Sequence, residues 1–305
     1  MARLPTRHSE HDKISRKLYQ IKAGYSGELD VDRVLHEVDF PQDVIVIKDL
    51  TVEILPNFYV QFDTLIFTPK RLIILEIKKY AGTIIFDEAS GKTTKISPNG
   101  EIEKFDCIIH QLDRETHGLK KWLEKRHINL PIEPILVMAN QRTEIPEMPK
   151  EVTLKFIKQL PRYIRTLPDI PDALSQQQLI KVANRLRGSR VNWQRIPECE
   201  RQGLALSDIK RGVLCLDCNT VMKRSRGRTW DCGRCNAANV EAIEQAVADW
   251  FLLFSKTLTN KQLRYFLQLK SSSATSIVFS RLRLNRIGKP PNTIYRWDYR
   301  MPLHK

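Results

Sequence analysis

The sequence has no long apolar run. No stretch of its 305 residues approaches the roughly 18 apolar residues needed to cross a bilayer. Its start, MARLPTRHSEHDKISRKLYQ, lacks the apolar centre of a secretion signal. We therefore expect a cytoplasmic protein with no membrane partner. Internal repeats and low-complexity segments are also missing, which excludes repeat architectures and favours two or three compact domains.

Acidic residues are in deficit. The chain has 35 Asp and Glu against 50 Lys and Arg, a formal charge of +15. From Glu200 onward, 19 basic residues stand against 8 acidic ones, so the excess is concentrated in the C-terminal part. Such a surface attracts phosphate backbones or anionic lipid, although a generically soluble basic surface would give the same count.

Cysteine is scarce, with six residues, and would indicate a disulfide framework only in a secreted chain. Four of the six form two CxxC pairs in LCLDCNTVMKRSRGRTWDCGRC, namely Cys215, Cys218, Cys232 and Cys235. Two such pairs supply four thiolates to one Zn²⁺, a closed structural site that resembles a zinc ribbon. A disulfide pair or paired redox motifs are the alternative.

The loop between the two CxxC pairs is basic and contains a tryptophan. This composition suits phosphate contact with base stacking, although a solvated zinc-ribbon loop would look similar. The residues predicted to contact nucleic acid here are Lys223, Arg224, Arg226, Arg228 and Trp230.

Apolar periodicity in the first half of the chain predicts an α/β domain. A helical segment at 10–37 is interrupted, or divided into two helices, by GYSGE. Strands, an amphipathic helix and a further buried strand follow in the order 44–54, 58–67, 71–80, 83–86, helix 106–125 and strand 133–140. Helix, strands, helix, strand is an α/β order. Residues 154–193 are predicted to be helical, with a basic helix at 175–188.

The C-terminal residues predict helices followed by a basic hairpin. A helix at 238–257 precedes helices at 258–269 and 271–284, and NRIGKPPNTIYRWDYR closes as a β-ribbon. The order resembles a winged helix whose last helix enters a DNA groove. A helical cap on the zinc ribbon or a partner-binding domain is the alternative. The residues predicted to contact nucleic acid are Arg281, Arg283, Arg286, Lys289, Arg296 and Arg300.

Two acids and a lysine interrupt the apolar hairpin QFDTLIFTPKRLIILEIKKYAG. If TPKR is a type I turn, Asp63 lies opposite Glu76, and Lys78 lies two residues along on the same face. Facing carboxylates repel, so a cation such as Mg²⁺ or Mn²⁺ is expected beside them, with room for a phosphate. A frayed strand end with solvated charges, or an odd-length loop that moves Asp63 off this face, is the alternative.

Four ordered segments are similar to the NERD (nuclease-related) domain of the PD-(D/E)xK nuclease superfamily, and the resemblance covers about residues 20–145. They are YSGE, FDTLIF, ILEIKKYAGTI and IIHQLDR. The resemblance implies that Asp63 and Glu76 bind the metal and that Lys78 is catalytic. It also implies that Glu28 completes the metal site and that Gln111 packs over it. From pattern alone, Glu28 is equally an acid in a first helical turn, and Gln111 an ordinary polar residue.

The expected fold is therefore α/β: a restriction-endonuclease-like core, a four-cysteine zinc ribbon and a small helical, winged-helix-like domain. The expected domains are 1–165, a helical extension or linker at 166–205, the ribbon at 206–240 and the last module at 241–305.

These features together favour a Mg²⁺- or Mn²⁺-dependent deoxyribonuclease, cytoplasmic, bacterial and associated with DNA. RNA as substrate and a homodimer are both compatible with the sequence. The alternative is a non-catalytic nucleic-acid-binding or regulatory protein that uses a nuclease fold as a scaffold.

Overall fold

A computed structural model of the chain describes residues 1–40, 44–87, 89–191, 196–225, 229–299 and 301–303. Three residues predicted to contact nucleic acid, Arg226, Arg228 and Arg300, lie outside the described residues.

The chain forms two compact units. The central unit is Leu18–Trp193, and the terminal unit combines Met1–Lys17 with Gln194–Lys305. The segment 166–205, expected to be an extension or linker, is thus divided between the two units.

A five-stranded mixed sheet is the centre of the central unit, with strand order β1-β2-β3-β7-β9. The first three strands are antiparallel neighbours, while β7 runs parallel to β3 and β9 parallel to β7. The interior strands are apolar on both faces because helices cover both. The strands are β1 (Ile45–Leu55), β2 (Phe58–Phe67), β3 (Leu72–Lys78), β7 (Ile132–Met138) and β9 (Thr153–Phe156).

Helices cover the two faces of this sheet through separate apolar cores. The helices α2 and α4 pack into one core, and α1 and α3 contribute to the other. The mixed α/β architecture confirms the predicted fold class. The helices are α1 (His11–Leu35), α2 (Ile108–Glu124), α3 (Leu160–Arg165) and α4 (Gln176–Gly188).

Three parts of the central unit differ from the sequence prediction. The strand β9 occupies the start of the segment expected to be helical, because it takes its hydrogen bonds from β7, and the helix α3 follows it. Two strands that were not predicted, β5 and β6, join a second sheet of order β6-β5-β4-β8. Both are short and carry charged residues, so their alternation is weak. The second sheet contains β4 (Gly82–Asp87), β5 (Lys92–Ile96), β6 (Ile102–Asp106) and β8 (Thr143–Glu144).

The third difference is helix α1, which runs without a break through GYSGE. Gly27 in this segment is buried against the sheet. A Cβ at this position would lie 2.9 Å from Lys79 Cβ and 3.4 Å from Ala139 Cβ. The glycine therefore allows the helix backbone to approach the ends of β3 and β7, rather than ending the helix.

The terminal unit contains two small three-stranded sheets and three longer helices. One sheet is β10-β11-β12, beside the cysteine cluster, and the other is β13-β15-β14. The three predicted helices and the closing hairpin are present, and a short strand at Leu258–Thr259, which was not predicted, pairs with the last strand of the hairpin. The winged-helix likeness of this order stays a prediction. The elements are α5 (Glu198–Arg201), β10 (Lys223–Arg224), β11 (Trp230–Asp231), β12 (Ala238–Asn239), α6 (Ala242–Leu253), β13 (Leu258–Thr259), α7 (Asn260–Leu267), α8 (Ser272–Arg281), β14 (Asn285–Ile287) and β15 (Ile294–Arg296).

The first residues of the chain are part of this terminal unit. Arg3 is 3% exposed, and its Nη1 donates to the carbonyl oxygens of Lys210 and Gly212 at 2.9 and 3.0 Å. Its Nε donates to Asp249 at 2.5 Å, and its guanidinium lies 4.6 Å from the Phe266 ring centroid. The buried cation is therefore paired through Nε and hydrogen-bonded through Nη1, as burial of a charge requires, while its Nη2 is buried without a partner among the described residues.

Candidate active site

The β2–β3 hairpin has the predicted register. Thr64 pairs with Leu75 and Phe67 with Leu72, which are the ends of a four-pair ladder. Asp63 and Glu76 lie one step beyond it. There the Asp63 side chain replaces a ladder bond, because its Oδ2 accepts a hydrogen bond of 2.8 Å from the backbone N–H of Ile77.

Glu76 is the most buried acid of the site, at 1% exposure. Its Oε1 lies 2.5 Å from Lys78 Nζ and accepts a hydrogen bond of 2.8 Å from Gln111 Nε2. Its Oε2 is buried and has no partner among the described residues. A buried carboxylate oxygen without a partner costs free energy unless a cation or water occupies the adjacent space.

Asp63 lies close enough to Glu76 for the negative charge of Glu76 to act on it. Burial, and then repulsion by Glu76, raise the pKa of Asp63 to about 7, although the Ile77 hydrogen bond and Lys78 oppose the shift. For Lys78, burial is the largest single effect and lowers the pKa, but the attraction of Glu76, Tyr80 and Asp63 together with the hydrogen bond to Glu76 outweighs it, so the net pKa is raised. The protein thus brings Asp63, Glu76 and Lys78 together, and Lys78 is held as an ammonium ion.

Glu28 reaches the edge of this cluster from helix α1. Burial, and then the nearby charges of Asp49, Asp32 and Glu76, raise its pKa. The helix is fixed here because Lys79 Nζ donates to Ser26 Oγ and Asp30 Oδ2, at 2.9 and 2.6 Å. Glu28 is only partly buried, so it is placed to contribute to the outer part of the acidic cluster.

Gln111 lies over the site from helix α2 and connects two acids. Its Nε2 donates to Glu76 Oε1 and to Glu115 Oε1, both at 2.8 Å. Glu115 is 3% exposed, and its Oε2 has no partner in the described part of the chain. Burial and the charge of Glu76 raise the pKa of Glu115 to about 9.

Sequence reasoning missed Glu115. The only available signal was its position four residues after Gln111, which places both side chains on one helical face. Polar residues at that spacing are also common on solvated helix faces. The spacing therefore identifies a site residue only when the surface covered by that helix face is known.

The turn after β3 is fixed by Gly82 and by the Tyr80 carbonyl. Gly82 has a φ of 89°, and a Cβ there would lie 2.0 Å from the Ile96 carbonyl oxygen. The Tyr80 carbonyl accepts hydrogen bonds of 2.7 Å from Asn140 Nδ2 and Thr143 Oγ1. Burial raises the pKa of the Tyr80 phenol. The charge of Lys78 lowers this pKa and that of Glu76 raises it, with a net increase. The YAG segment therefore ends β3 sharply beside Lys78.

The oxygen donors of this site fit a hard divalent cation. Asp63 and Glu76 offer carboxylates from adjacent strands, and the partnerless Glu76 Oε2 is the donor that the protein leaves unused. Mg²⁺ is bound by one or two carboxylates together with waters and phosphate oxygens, so two acids are sufficient.

The four cysteines of the terminal unit converge as predicted. Their Sγ atoms all lie within 4.8 Å of one another. Cys215 and Cys235 are 3.6 Å apart and Cys218 and Cys232 are 3.4 Å apart, with none of them in a disulfide. Four thiolates at these separations fit a tetrahedral Zn²⁺ site, and the cluster fits a zinc ribbon.

The residues predicted to contact nucleic acid are mostly exposed. Arg283 and Arg286 line a groove of about 880 Å³ between α8 and the β14–β15 hairpin. Lys289 and Arg296 are exposed on the β14–β15 hairpin itself, and Lys223, Arg224 and Arg281 are exposed elsewhere on the terminal unit. Trp230 is different, because it is 7% exposed and packs in the core of the unit. A ring enclosed by protein has no face left for a base, so this residue is not presented for stacking.

Comparison with known proteins identifies the central part of the chain. Residues 23–139 match the family model of the nuclease-related domain, NERD. No curated protein and no solved structure matches the chain. None of the described helices is long and apolar enough to cross a membrane. Residues 23–139 therefore belong to the NERD family of nuclease-related domains.

Proposed function

We propose that the protein is a metal-dependent endonuclease that hydrolyses phosphodiester bonds of DNA. The observation that carries the proposal is the state of Glu76. One of its oxygens is bound by Lys78 and Gln111, the other is buried without a partner among the described residues, and its charge acts on Asp63. An enzyme that binds Mg²⁺ or Mn²⁺ through Asp63 and Glu76 would require this arrangement.

The divalent cation would supply Lewis-acid polarisation of the phosphate and activation of water. Lys78 would orient the water and stabilise the negative charge that develops on the phosphate oxygens. Its raised pKa favours these roles over proton abstraction, since an ammonium ion has no lone pair to accept a proton. Gln111 would hold Glu76 in its observed orientation, and Glu28 would bind the outer part of the metal's water shell.

The terminal unit would hold the substrate. We assign phosphate contact to Lys223, Arg224, Arg281, Arg283, Arg286, Lys289 and Arg296, and a structural Zn²⁺ to the four cysteines. Supporting this assignment are the concentration of positive charge after Glu200 and the exposure of these side chains. A closed four-sulfur site leaves no position for substrate, so its contribution would be to folding.

The test uses the Lys78→Ala variant of the full chain. We expect it to lose Mg²⁺- or Mn²⁺-dependent cleavage of plasmid, single-stranded and branched DNA while keeping DNA affinity within about two-fold, because Lys78 acts on the developing charge. Lys121→Ala, at an exposed lysine of α2, is the matched control. RNA substrates are assayed in parallel.

Full cleavage by Lys78→Ala would refute the mechanism. Binding without cleavage by the unaltered protein, on every substrate and with both metals, would instead support a non-catalytic nucleic-acid-binding protein.

A further inference from the structure

Helix α7 carries a second basic surface, separate from the α8–hairpin groove. A cavity of about 530 Å³ lies beside α7 and shares no lining residue with that groove. This α7 cavity is lined by Leu206, Arg211, Trp250, Lys261, Gln262, Arg264, Tyr265, Gln268 and Leu269. Of these nine described residues, three are cationic and none is acidic. The volume lies in the range of sites that hold one small ligand or part of a larger one.

Tyr265 is the aromatic centre of the α7 cavity. Its side chain is 53% exposed, which is unusual for a large ring beside a packed core. The Arg211 guanidinium lies 4.3 Å from the ring centroid. A guanidinium in this position extends the aromatic surface as a second flat, stacking group. The pair therefore presents a platform on which a nucleobase can stack.

Within the described ranges, the cations around this platform have no acidic partner. None of Arg211, Lys261 and Arg264 forms an ion pair with an acidic residue in the described part of the chain. Lys261 and Arg264 lie on the exposed side of the helix that carries Tyr265. Lys261 lies one turn before Tyr265 and Arg264 directly precedes it, so the two cations are placed to bind the phosphates next to a stacked base.

An amide completes the cavity. Gln262 Oε1 accepts hydrogen bonds from the Thr259 backbone N–H and hydroxyl, both at 2.9 Å, so this amide is held in one orientation by the helix cap. Its Nε2 remains able to donate to a base edge or a phosphate.

We propose that the α7 cavity binds single-stranded nucleic acid, with one base on the Tyr265–Arg211 platform and the adjoining phosphates on Lys261 and Arg264. A single strand fits better than a duplex, because the bases of a duplex are already stacked on one another and cannot reach a protein ring. The proposal concerns binding and holds whether or not the central unit cleaves its substrate.

Fluorescence anisotropy with the full chain tests the site, using a labelled oligothymidine and a blunt hairpin duplex without added divalent cation. We expect Tyr265→Ala and Arg211→Ala each to weaken oligothymidine binding about five-fold or more, the lower end of the effect of removing one stacking partner. Duplex affinity should change less than about two-fold, since the duplex cannot use the platform. Tyr265→Phe keeps the ring and should bind as the unaltered protein does.

Tyr19→Ala, at another exposed tyrosine, is the matched control and should have no effect. Unchanged oligothymidine affinity in both Tyr265→Ala and Arg211→Ala would overturn the proposal. So would an equal loss for oligothymidine and duplex, which would indicate a general electrostatic surface. Displacement of oligothymidine by polyglutamate as readily as by unlabelled oligothymidine would assign the surface to an acidic protein partner.

Discussion

At the scale of single residues, the organisation of the site depends on how the donors around Glu76 are distributed. Gln111 has two amide hydrogens, and the protein uses them on two different carboxyl groups, Glu76 and Glu115. Among the described residues, Glu76 and Glu115 then each keep one buried oxygen without a partner. The helix therefore does more than cover the site, because it fixes which oxygen of Glu76 is left without a donor.

Replacing Glu115 tests this positioning role. In Glu115→Ala the Gln111 amide loses one of its two acceptors and is free to rotate away from Glu76. We expect metal-dependent cleavage or metal affinity to fall about 10- to 100-fold, the usual effect of removing a group that orients a metal ligand. Glu115→Gln keeps an acceptor and should lose less. A Mg²⁺ titration of activity measures the effect, and unchanged metal dependence in Glu115→Ala would contradict it.

The raised pKa of Asp63 predicts how the site responds to pH. A carboxyl group must lose its proton before it binds a cation, so Mn²⁺ affinity should rise with pH up to about 7 and level off above it. Without a cation, the folded state binds more protons than the unfolded state between the ordinary pKa of an aspartate and about 7. Stability should therefore fall as pH rises through this window.

Two measurements on metal-free protein check the pH prediction: Mn²⁺ binding by calorimetry, and thermal unfolding across the same pH range. The Asp63→Asn variant is the control, because it has no proton to lose. It should bind Mn²⁺ weakly at every pH and lose the Asp63 contribution to the pH dependence of stability. A profile that does not differ between this variant and the unaltered protein would refute the assignment.

At the scale of elements, the sequence predicted those whose periodicity is long and regular. The hairpin register follows from a type I turn at TPKR, and helix α2 follows from the apolar pattern of the helix itself. The strands β5, β6 and β9 were missed because they are short and charged, or gain their hydrogen bonds only from a neighbour distant in sequence. Glu115 was missed for a related reason, since Glu76, whose charge raises the pKa of Glu115, lies on another element.

The two glycines of GYSGE provide a matched test of how α1 is placed. Gly24 has open space around it, so Gly24→Ala should raise the free energy of unfolding by about 0.5–1 kcal/mol through helix propensity. Gly27→Ala should fail to gain this stability, because the new methyl would lie 2.9 Å from Lys79 Cβ and force the helix away from β3. Denaturant unfolding measures both.

The same displacement should move Glu28 from the acidic cluster. Gly27→Ala should therefore lower metal-dependent cleavage, while Gly24→Ala should not. Equal stabilisation by the two substitutions would mean that the helix does not depend on this close approach.

At the scale of the whole molecule, the two units differ in charge and in the number of their cores. The central unit has two apolar cores around one sheet. The terminal unit has one apolar core, and adds to it short strands, a cluster of four thiolates and the buried Arg3. A Zn²⁺ bound by the four thiolates would contribute folding free energy beyond that core. Substrate binding would then be carried by a unit that zinc helps to stabilise.

The salt dependence of duplex binding tests the role of that unit. If Arg283, Arg286 and Lys289 each contact one phosphate, replacing all three by alanine should reduce the slope of log affinity against log salt by about 2.7, since each contact contributes about 0.9. The control replaces Lys13, Lys92 and Lys121, three exposed lysines that stand next to acids. Because each of these lysines is paired with an acid, replacing all three should change the slope of log affinity against log salt very little. An unchanged slope in the first variant, measured by anisotropy without added divalent cation, would mean that the α8–hairpin groove does not bind the duplex.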